Sequence, residues 1–333
     1  MDIGIDLGTA NVMISMGNKG VVLNEPSVVA FNKKLNEVIA VGDEAYRMVG
    51  RTPEHITVVR PLSDGVISDH KMTKLMIMAF IEKVTGKQLF MPNIVMCVPS
   101  SITDVESRAV IEAAKNAGAR HVYLIDEPVA AIMGAGVDIS RADGNMVVDI
   151  GGGTTDIAVV SMNGVVTKSS VKMAGNKLDK AIVRYVSNRY RILIGEKMAE
   201  NAKIAAANIY SPDGSRKFVV KGRHLVRGLP EQIELSDYDI YEAIIDNINE
   251  MITAVKTVIE KTPPELVGDI YQNGIYLTGG GALLFGLDKL MSSQIGVPCH
   301  IADDPLSCVA KGTRYAFRNL DKLLDGFEQV SMI

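Results

Sequence analysis

Two segments of the chain place a carboxylate, glycine and a hydroxyl at the end of an apolar run. They are Asp6-Leu7-Gly8-Thr9-Ala10-Asn11 and, about half the chain later, Asp149-Ile150-Gly151-Gly152-Gly153-Thr154-Thr155. In both, β-branched residues resume after the turn, so each reads as strand, tight turn and returning strand, with glycine supplying positive φ and close backbone approach. Backbone N–H groups in such a turn share a concavity suited to an anion such as phosphate, and a carboxylate at the strand end can hold a hydrated cation. For residues 147–160 taken alone, a plain hairpin with a glycine bulge is the alternative. The recurrence favours a clamp, because it implies an internal pseudo-repeat of two similar lobes facing one ligand. A third turn, Gly279-Gly280-Gly281-Ala282, follows an apolar run ending at Thr278 and offers another close backbone approach. None of the three matches GxxxxGK[ST] or GxGxxG. The design that remains is a nucleotide gripped between the lobes, with Asp6 and Asp149 holding Mg²⁺ largely through its waters.

Hydrolysis of such a nucleotide needs a polar group that orients or deprotonates water while charge spreads onto the metal and backbone donors. Glu127, set at a strand-to-helix junction by Pro128, is the best-placed carboxylate, and Thr154 can share the water. An ordinary acidic residue stabilised in a first helical turn is the other reading of Glu127.

Elements that would position these groups follow from the pattern. Strands are expected at Val21–Leu23, Ser27–Phe31 and Val38–Val41, a short helix over 43–49, and a turn-rich connection over 51–69. Asp69 caps a helix over about 71–83 that Gly86 ends, and Thr103 with Glu106 has capping-box spacing before a helix running to Gly118. Strands at 93–98 and 122–125 alternate with helices, the α/β rhythm. In the second half, strands at 147–161 and 165–173 lead to helices over about 178–190 and from 195, then a polar β-like stretch over 211–235. Ser236 and Asp239 form a second capping box, and Ile244, Ile248, Met251, Ile252, Val255, Val258 and Ile259 line one face of a long helix stopped by Pro263-Pro264. A strand at 274–278, a helix at 283–291, a strand at 297–301 and a helical region over 304–322 close the chain.

The 333 residues, 47% hydrophobic, exceed what one core accommodates, so two lobes are expected. With 35 basic against 39 acidic side chains, net −4, there is no electrostatic reason to expect nucleic acid as partner. Cys97, Cys299 and Cys308 lack CxxC spacing and read as buried free thiols of a reducing compartment. The chain opens directly on Asp2-Ile3-Gly4-Ile5-Asp6 without signal-peptide character, and no run approaches the ~20 apolar residues of a membrane span. A cytoplasmic protein, soluble or membrane-peripheral, is expected. Zero tryptophans and 17 methionines indicate aliphatic, adaptable packing. Leu89-Phe90-Met91 forms an apolar patch closed by Pro92; it either marks an interaction or membrane surface or tucks beneath the sheet.

The three glycine turns, Glu127-Pro128 and Thr278-Gly279-Gly280-Gly281-Ala282-Leu283-Leu284 together resemble the actin/Hsp70/sugar-kinase superfamily and, more narrowly, the MreB family of bacterial actins with its Mbl-type paralogues. Asn24-Glu25-Pro26-Ser27, Arg60-Pro61-Leu62-Ser63-Asp64-Gly65, Val98-Pro99-Ser100 and Thr262-Pro263-Pro264-Glu265-Leu266 extend the similarity over almost the whole chain. The resemblance implies an α/β, actin-like two-lobed ATPase fold of duplicated ribonuclease H-like domains, each with a smaller inserted subdomain. Lobe I would span 1–142 with an insert at about 28–68, lobe II 143–304 with an insert at about 180–236, and 305–333 would return to lobe I. It implies binding and slow hydrolysis of ATP with Mg²⁺, homopolymer filaments on the inner face of the cytoplasmic membrane, and partners in the cell-wall elongation machinery. By family motif, Thr9, Ala10, Asn11 and Gly151, Gly152, Gly153 contact phosphate, and Glu127 and Thr154 position the water. Glu200, Asn201, Ala202 and Lys203 meet ribose and adenine, while Gly280, Gly281, Ala282 and Leu283 lie along the α-phosphate and base. Leu89 and Phe90 fall at the family's membrane-insertion loop.

The chain departs from the family at Asp126, where a glutamate is common, in the helix after Pro128, and at Lys197-Met198, where Arg-Thr is often seen. Two other superfamily functions are weighed. A small-metabolite kinase requires a substrate base and sugar cleft, and an Hsp70-like chaperone requires a peptide-binding domain that a chain ending near Ile333 is not expected to carry.

Overall fold

The structure is a computed structural model and describes residues 2–86, 91–100 and 102–317 together with the backbone of 327–329. The apolar patch residues Leu89 and Phe90 lie outside the described residues. Strands β1 (Asp2–Leu7) and β2 (Asn11–Met16) form a hairpin around the first glycine turn, and β3 (Gly20–Pro26) continues the meander. Next, β4 (Val29–Asn32), β5 (Glu37–Val41), helix α1 (Asp43–Met48) and β6 (Ile56–Val59) build a small sheet of order β5-β4-β6. A ribbon of β7 (Leu62–Ser63) and β8 (Val66–Ile67) leads to α2 (His70–Thr85), β9 (Asn93–Val98), α3 (Asp104–Asn116) and β10 (His121–Asp126). Asp69 Oδ1 accepts the Met72 N–H at 3.0 Å, Gly86 closes α2 at φ 61°, and Thr103 and Glu106 cap α3 reciprocally, as their spacing predicts.

Helix α4 (Glu127–Gly134) carries the chain across to β11 (Asn145–Ile150), β12 (Thr155–Ser161) and β13 (Gly164–Val171). Helix α5 (Gly175–Tyr190), β14 (Ile192–Leu193), α6 (Glu196–Ala206), β15 (Lys217–His224) and β16 (Pro230–Ser236) follow, the strands forming a second small sheet. The chain then runs through α7 (Asp237–Lys261), α8 (Pro264–Asn273), β17 (Ile275–Thr278), α9 (Leu287–Ile295) and β18 (Cys299–Ile301). It returns by α10 (Cys308–Ala316) to β19 (Phe327–Gln329), which pairs with β10.

The two large sheets repeat one another. One has the order β19-β10-β9-β1-β2-β3 and the other β13-β12-β11-β17-β18. Leaving β19 aside, each places a three-strand antiparallel meander beside two strands parallel to its first member. That is the pseudo-repeat expected from the paired turns.

Strand alternation decides the layering, since successive side chains face opposite sides of a sheet. Ile94, Met96 and Val98 face a core with α2 and α3, and Met146, Val148 and Ile150 face a second core with α5 and α7. The alternate residues Val95, Cys97, Val147, Ala158 and Val160 face a third core, between the sheets, filled by α4 and α10. Helix α4 is buried from Glu127 to Met133, which suits its apolar circumference. The two crossing helices touch through glycine: a Cβ at Gly134 would fall on the Cys308 carbonyl, and one at Gly312 on the Ala130 carbonyl.

Several boundaries differ from expectation. The 51–69 connection contains β6 to β8, because Ile56–Val59 finds β4 as a pairing partner. Pro263-Pro264 ends α7 but also starts α8, proline being well suited to a first helical position. Residues Gly280–Leu283 form a 3-10 turn and α9 begins only at Leu287, after left-handed Gly286. Of the expected helical region 304–322, a 3-10 turn at Pro305–Ser307 and α10 are seen.

Candidate functional site

Both hairpin turns open into one cavity of about 590 Å³ between the two large sheets, within the range of small-molecule sites. Its wall includes Asp6, Thr9, Ala10, Asn11, Glu127, Asp149, Gly151, Gly152, Gly153 and Thr154, so the first two turns and the candidate catalytic pair come together. The turns touch. A Cβ on Gly152 would lie 2.6 Å from Ala10 Cβ, and one on Gly153 2.6 Å from Thr9 Oγ1, so only glycine lets the two backbones approach this closely. Thr9 Oγ1 also accepts the Gly65 N–H at 3.2 Å, joining the β7–β8 ribbon to the first turn. The Gly151 and Gly152 carbonyls accept the Gly175 and Asn176 N–H groups at 3.2 and 2.8 Å. Because trans peptides set N–H opposite the preceding C=O, the Gly152 and Gly153 N–H groups point the other way.

The third turn contributes Gly279, Gly280, Gly281, Leu283 and Phe285 to the wall, and α6 contributes Glu200, Lys203 and Ile204. Three expected contacts do not reach the cavity. Ala202 and Ala282 are buried in the second-half core, and Asn201 is exposed. The helical period accounts for α6: Glu200 and Lys203, three apart, share a face that neither Asn201 nor Ala202 shares. At the third turn, the 3-10 conformation sends Ala282 inward while Leu283 stays half exposed. Asp179, Asn176, Arg216 and Phe285 line the cavity without having been singled out. Arg216 stacks over Phe285 at 4.6 Å, a pairing of residues about 70 positions apart that no local pattern announces.

Charge is distributed unevenly along the wall. Burial, then the neighbouring Asp149, raises the Asp6 carboxyl to about 8. Burial raises Asp149 to about 7, with Asp156 adding to the rise against the Thr278 hydroxyl, which donates to Asp149 Oδ1 at 2.6 Å. Glu127 is pushed well above the carboxylate range by burial and then by Asp156, Asp149 and Asp6. Among the described residues, the cationic side chains on the wall are Lys203 and Arg216. Lys203 Nζ is held by Asp179 Oδ1 at 2.8 Å and the Gly175 carbonyl at 3.2 Å. No three His, Cys, Asp or Glu side chains among the described residues converge on a bare ion.

Polar contacts span the halves of the molecule. Tyr46 of α1 donates its hydroxyl to Glu200 Oε2 at 3.4 Å, with Lys197 Nζ 4.3 Å above its ring. Lys168 of β13 binds Asp126 at 2.5 Å, immediately before Glu127. Asp126 thus anchors the start of α4 to the other sheet.

The profile of the family described as MreB/Mbl protein matches residues 1–325. The chain is 50% identical over 323 residues to the cell shape-determining protein Mbl of Bacillus subtilis (strain 168), covering 97% of each. It superimposes on MreB 5 of Spiroplasma citri bound to AMPPNP with a TM-score of 0.91 and 37% identity, over 96% of both chains. The MamK double helical filament gives a TM-score of 0.80 at 20% identity, over 95% of this chain and 98% of that one, a likeness of fold alone.

Proposed function

The chain belongs to the MreB/Mbl family, and from that membership we propose that it is an ATP-binding, slowly ATP-hydrolysing actin-like protein. Its copies polymerise into filaments on the inner face of the cytoplasmic membrane and organise cell-wall synthesis, thereby determining cell shape. The reading is supported by a relative called cell shape-determining and by another crystallised with AMPPNP. The lobes are taken as 1–142 and 143–304, with 305–333 returning to lobe I.

One observation carries the nucleotide assignment: the two half-similar turns meet, Thr9 and Ala10 against Gly153 and Gly152, beside the buried pair Asp6 and Asp149. A phosphate chain entering this acidic end needs a counter-charge, and Lys203, beside Gly175, is already held by Asp179. A hydrated Mg²⁺ fits, because two buried carboxylates driven toward protonation are relieved by a divalent cation held through its waters. When bound, Mg²⁺ neutralises charge on the phosphates. Thr9, Ala10, Asn11 and the Gly151–Gly153 turn hold phosphate, Glu200 and Lys203 the ribose side, and Gly280, Gly281 and Leu283 the base. Glu127 and Thr154 orient the attacking water.

The deciding experiment measures ATP-dependent filament formation on liposomes by electron microscopy, with phosphate release in parallel. Filaments with slow release are expected. Glu127→Ala should cut release on the order of 10²-fold with ATP affinity nearly unchanged. A protein that stays monomeric at high concentration with Mg-ATP and lipid, or a variant that loses binding and turnover together, contradicts the assignment.

A further inference from the structure

Asp126 occupies the position from which an aspartate ordinarily caps a helix. It ends β10 immediately before α4, yet its side chain accepts no N–H of the first helical turn. The carboxylate is turned the other way: Oδ2 accepts from Lys168 Nζ at 2.5 Å, with only 13% of the Asp126 side chain exposed. Lys168 belongs to β13, the edge strand of the second large sheet, and is in register with Ala158 of β12. Cross-strand partners share a face of a sheet, and Ala158 faces the core that α4 fills, so Lys168 reaches across on the α4 side. Asp126 thus forgoes a local bond for one that spans the two halves.

The next residue is Glu127, the group assigned to the attacking water. It is buried and lines the cavity, and its Oε2 has no hydrogen-bond partner among the described residues. The direction of this carboxyl therefore depends on the backbone that carries it, the first turn of α4. Pro128 stiffens that turn and has no N–H to be capped. The far end of α4 is fixed where Gly134 meets the Cys308 carbonyl; at the near end, the Asp126–Lys168 bond ties the turn to the second sheet.

We infer that Lys168 is a positioning residue for hydrolysis: through Asp126 it holds the start of α4 against the second large sheet and so fixes Glu127 relative to the Gly151–Gly153 turn. The inference rests on the ATPase reading of the site. Glu127 follows β10 of the first large sheet, whereas Gly151–Gly153 follows β11 of the second. The spacing of water and phosphate is therefore a spacing between the halves. A misplacement of about 1 Å in a reacting group can cost on the order of 10²-fold in rate. Lys168 does not line the cavity, so it acts on the chemistry through Asp126. Its side chain is 41% exposed, and ion pairs this open to solvent add little to stability, which separates a positional effect from a folding one.

The test compares Lys168→Met, Lys168→Arg, Asp126→Asn, the Met/Asn double variant and Glu127→Ala. Phosphate release is read at equal filament mass, with KM for ATP, affinity for a non-hydrolysable ATP analogue, and thermal melting. Lys168→Met, which keeps the aliphatic stem, should lower kcat about tenfold, with KM and analogue affinity within about twofold and cooperative melting retained. Lys168→Arg, which keeps the cation, should recover most of the rate. Asp126→Asn, which keeps the size and a capping oxygen, should match Lys168→Met. The double variant should be no slower than either single one, since both remove the same bond. Wild-type kcat in Lys168→Met, a Lys168→Arg variant equally slow, full additivity in the double variant, or equal losses of kcat and analogue affinity would each overturn the inference. If Glu127→Ala itself turns over normally, the ATPase reading fails and this inference falls with it. A slow Glu127→Ala beside a normal Lys168→Met removes the inference alone.

Discussion

The acidic end of the cavity makes the protein's stability depend on pH in a direction opposite to that of a salt-bridged carboxylate. Asp6 and Asp149 bind protons more tightly folded, at about 8 and about 7, than the ordinary value of 3.8. Their contribution is therefore fully present below that value and is lost as pH rises through 7 and 8. Metal-free, nucleotide-free protein should melt at progressively lower temperature between pH 6 and 8.5. The stabilisation gained from Mg-ATP should grow over the same window, because the cation displaces those protons. A melting temperature flat across this range without ligand, measured by scanning fluorimetry, would show that the carboxylates titrate normally.

At the scale of the element, Ser236 and Asp239 cap the 25-residue helix α7, each bonding the other's backbone: the Asp239 N–H donates to Ser236 Oγ at 3.4 Å and the Ser236 N–H to Asp239 Oδ2 at 2.9 Å. Ser236→Ala should cost about 1 kcal/mol of stability without changing ATP affinity, as denaturant unfolding and nucleotide titration would check. A loss of affinity would mean that α7 sets the cavity's shape more directly. The capping boxes, the strands and the buried face of α7 were legible because each is a local pattern. Strand β6 was not, since its reason to exist is β4; nor was α8, hidden behind a proline that reads as a stop. The candidate site divides in the same way. Asp6, Asp149 and the glycine turns are written in short motifs, whereas Glu200 and Lys203 came only with the family resemblance. Arg216 and Phe285, by contrast, look like unrelated surface residues until the fold stacks one over the other on the cavity wall. Asn201 and Ala202 were included because a motif is a run of sequence, whereas a helix shows the ligand only one face.

For the whole molecule, no helix among the described residues is long and apolar enough to cross a membrane. For attachment to the membrane, as proposed, the apolar pair Leu89 and Phe90 is the candidate by composition. Replacing both with serine should reduce co-sedimentation with liposomes several-fold, at roughly 0.8 kcal/mol lost per CH₂ no longer buried. Filament formation in solution should be unaffected. Unchanged sedimentation would move the attachment elsewhere.

The glycine contact between α4 and α10 has a mechanical consequence. Both passages of the chain between the large sheets lie side by side, with Gly134 and Gly312 bringing backbone against backbone and Lys168 pinning Asp126 at one end. Close-packed backbones resist separation and tolerate turning. The two crossings therefore form one seam, and any side chain larger than glycine at 134 or 312 would have to part the helices there. On the nucleotide-facing side, Tyr46 bonded to Glu200 ties the small sheet of the first half to α6 of the second, so the same two halves are joined a second time.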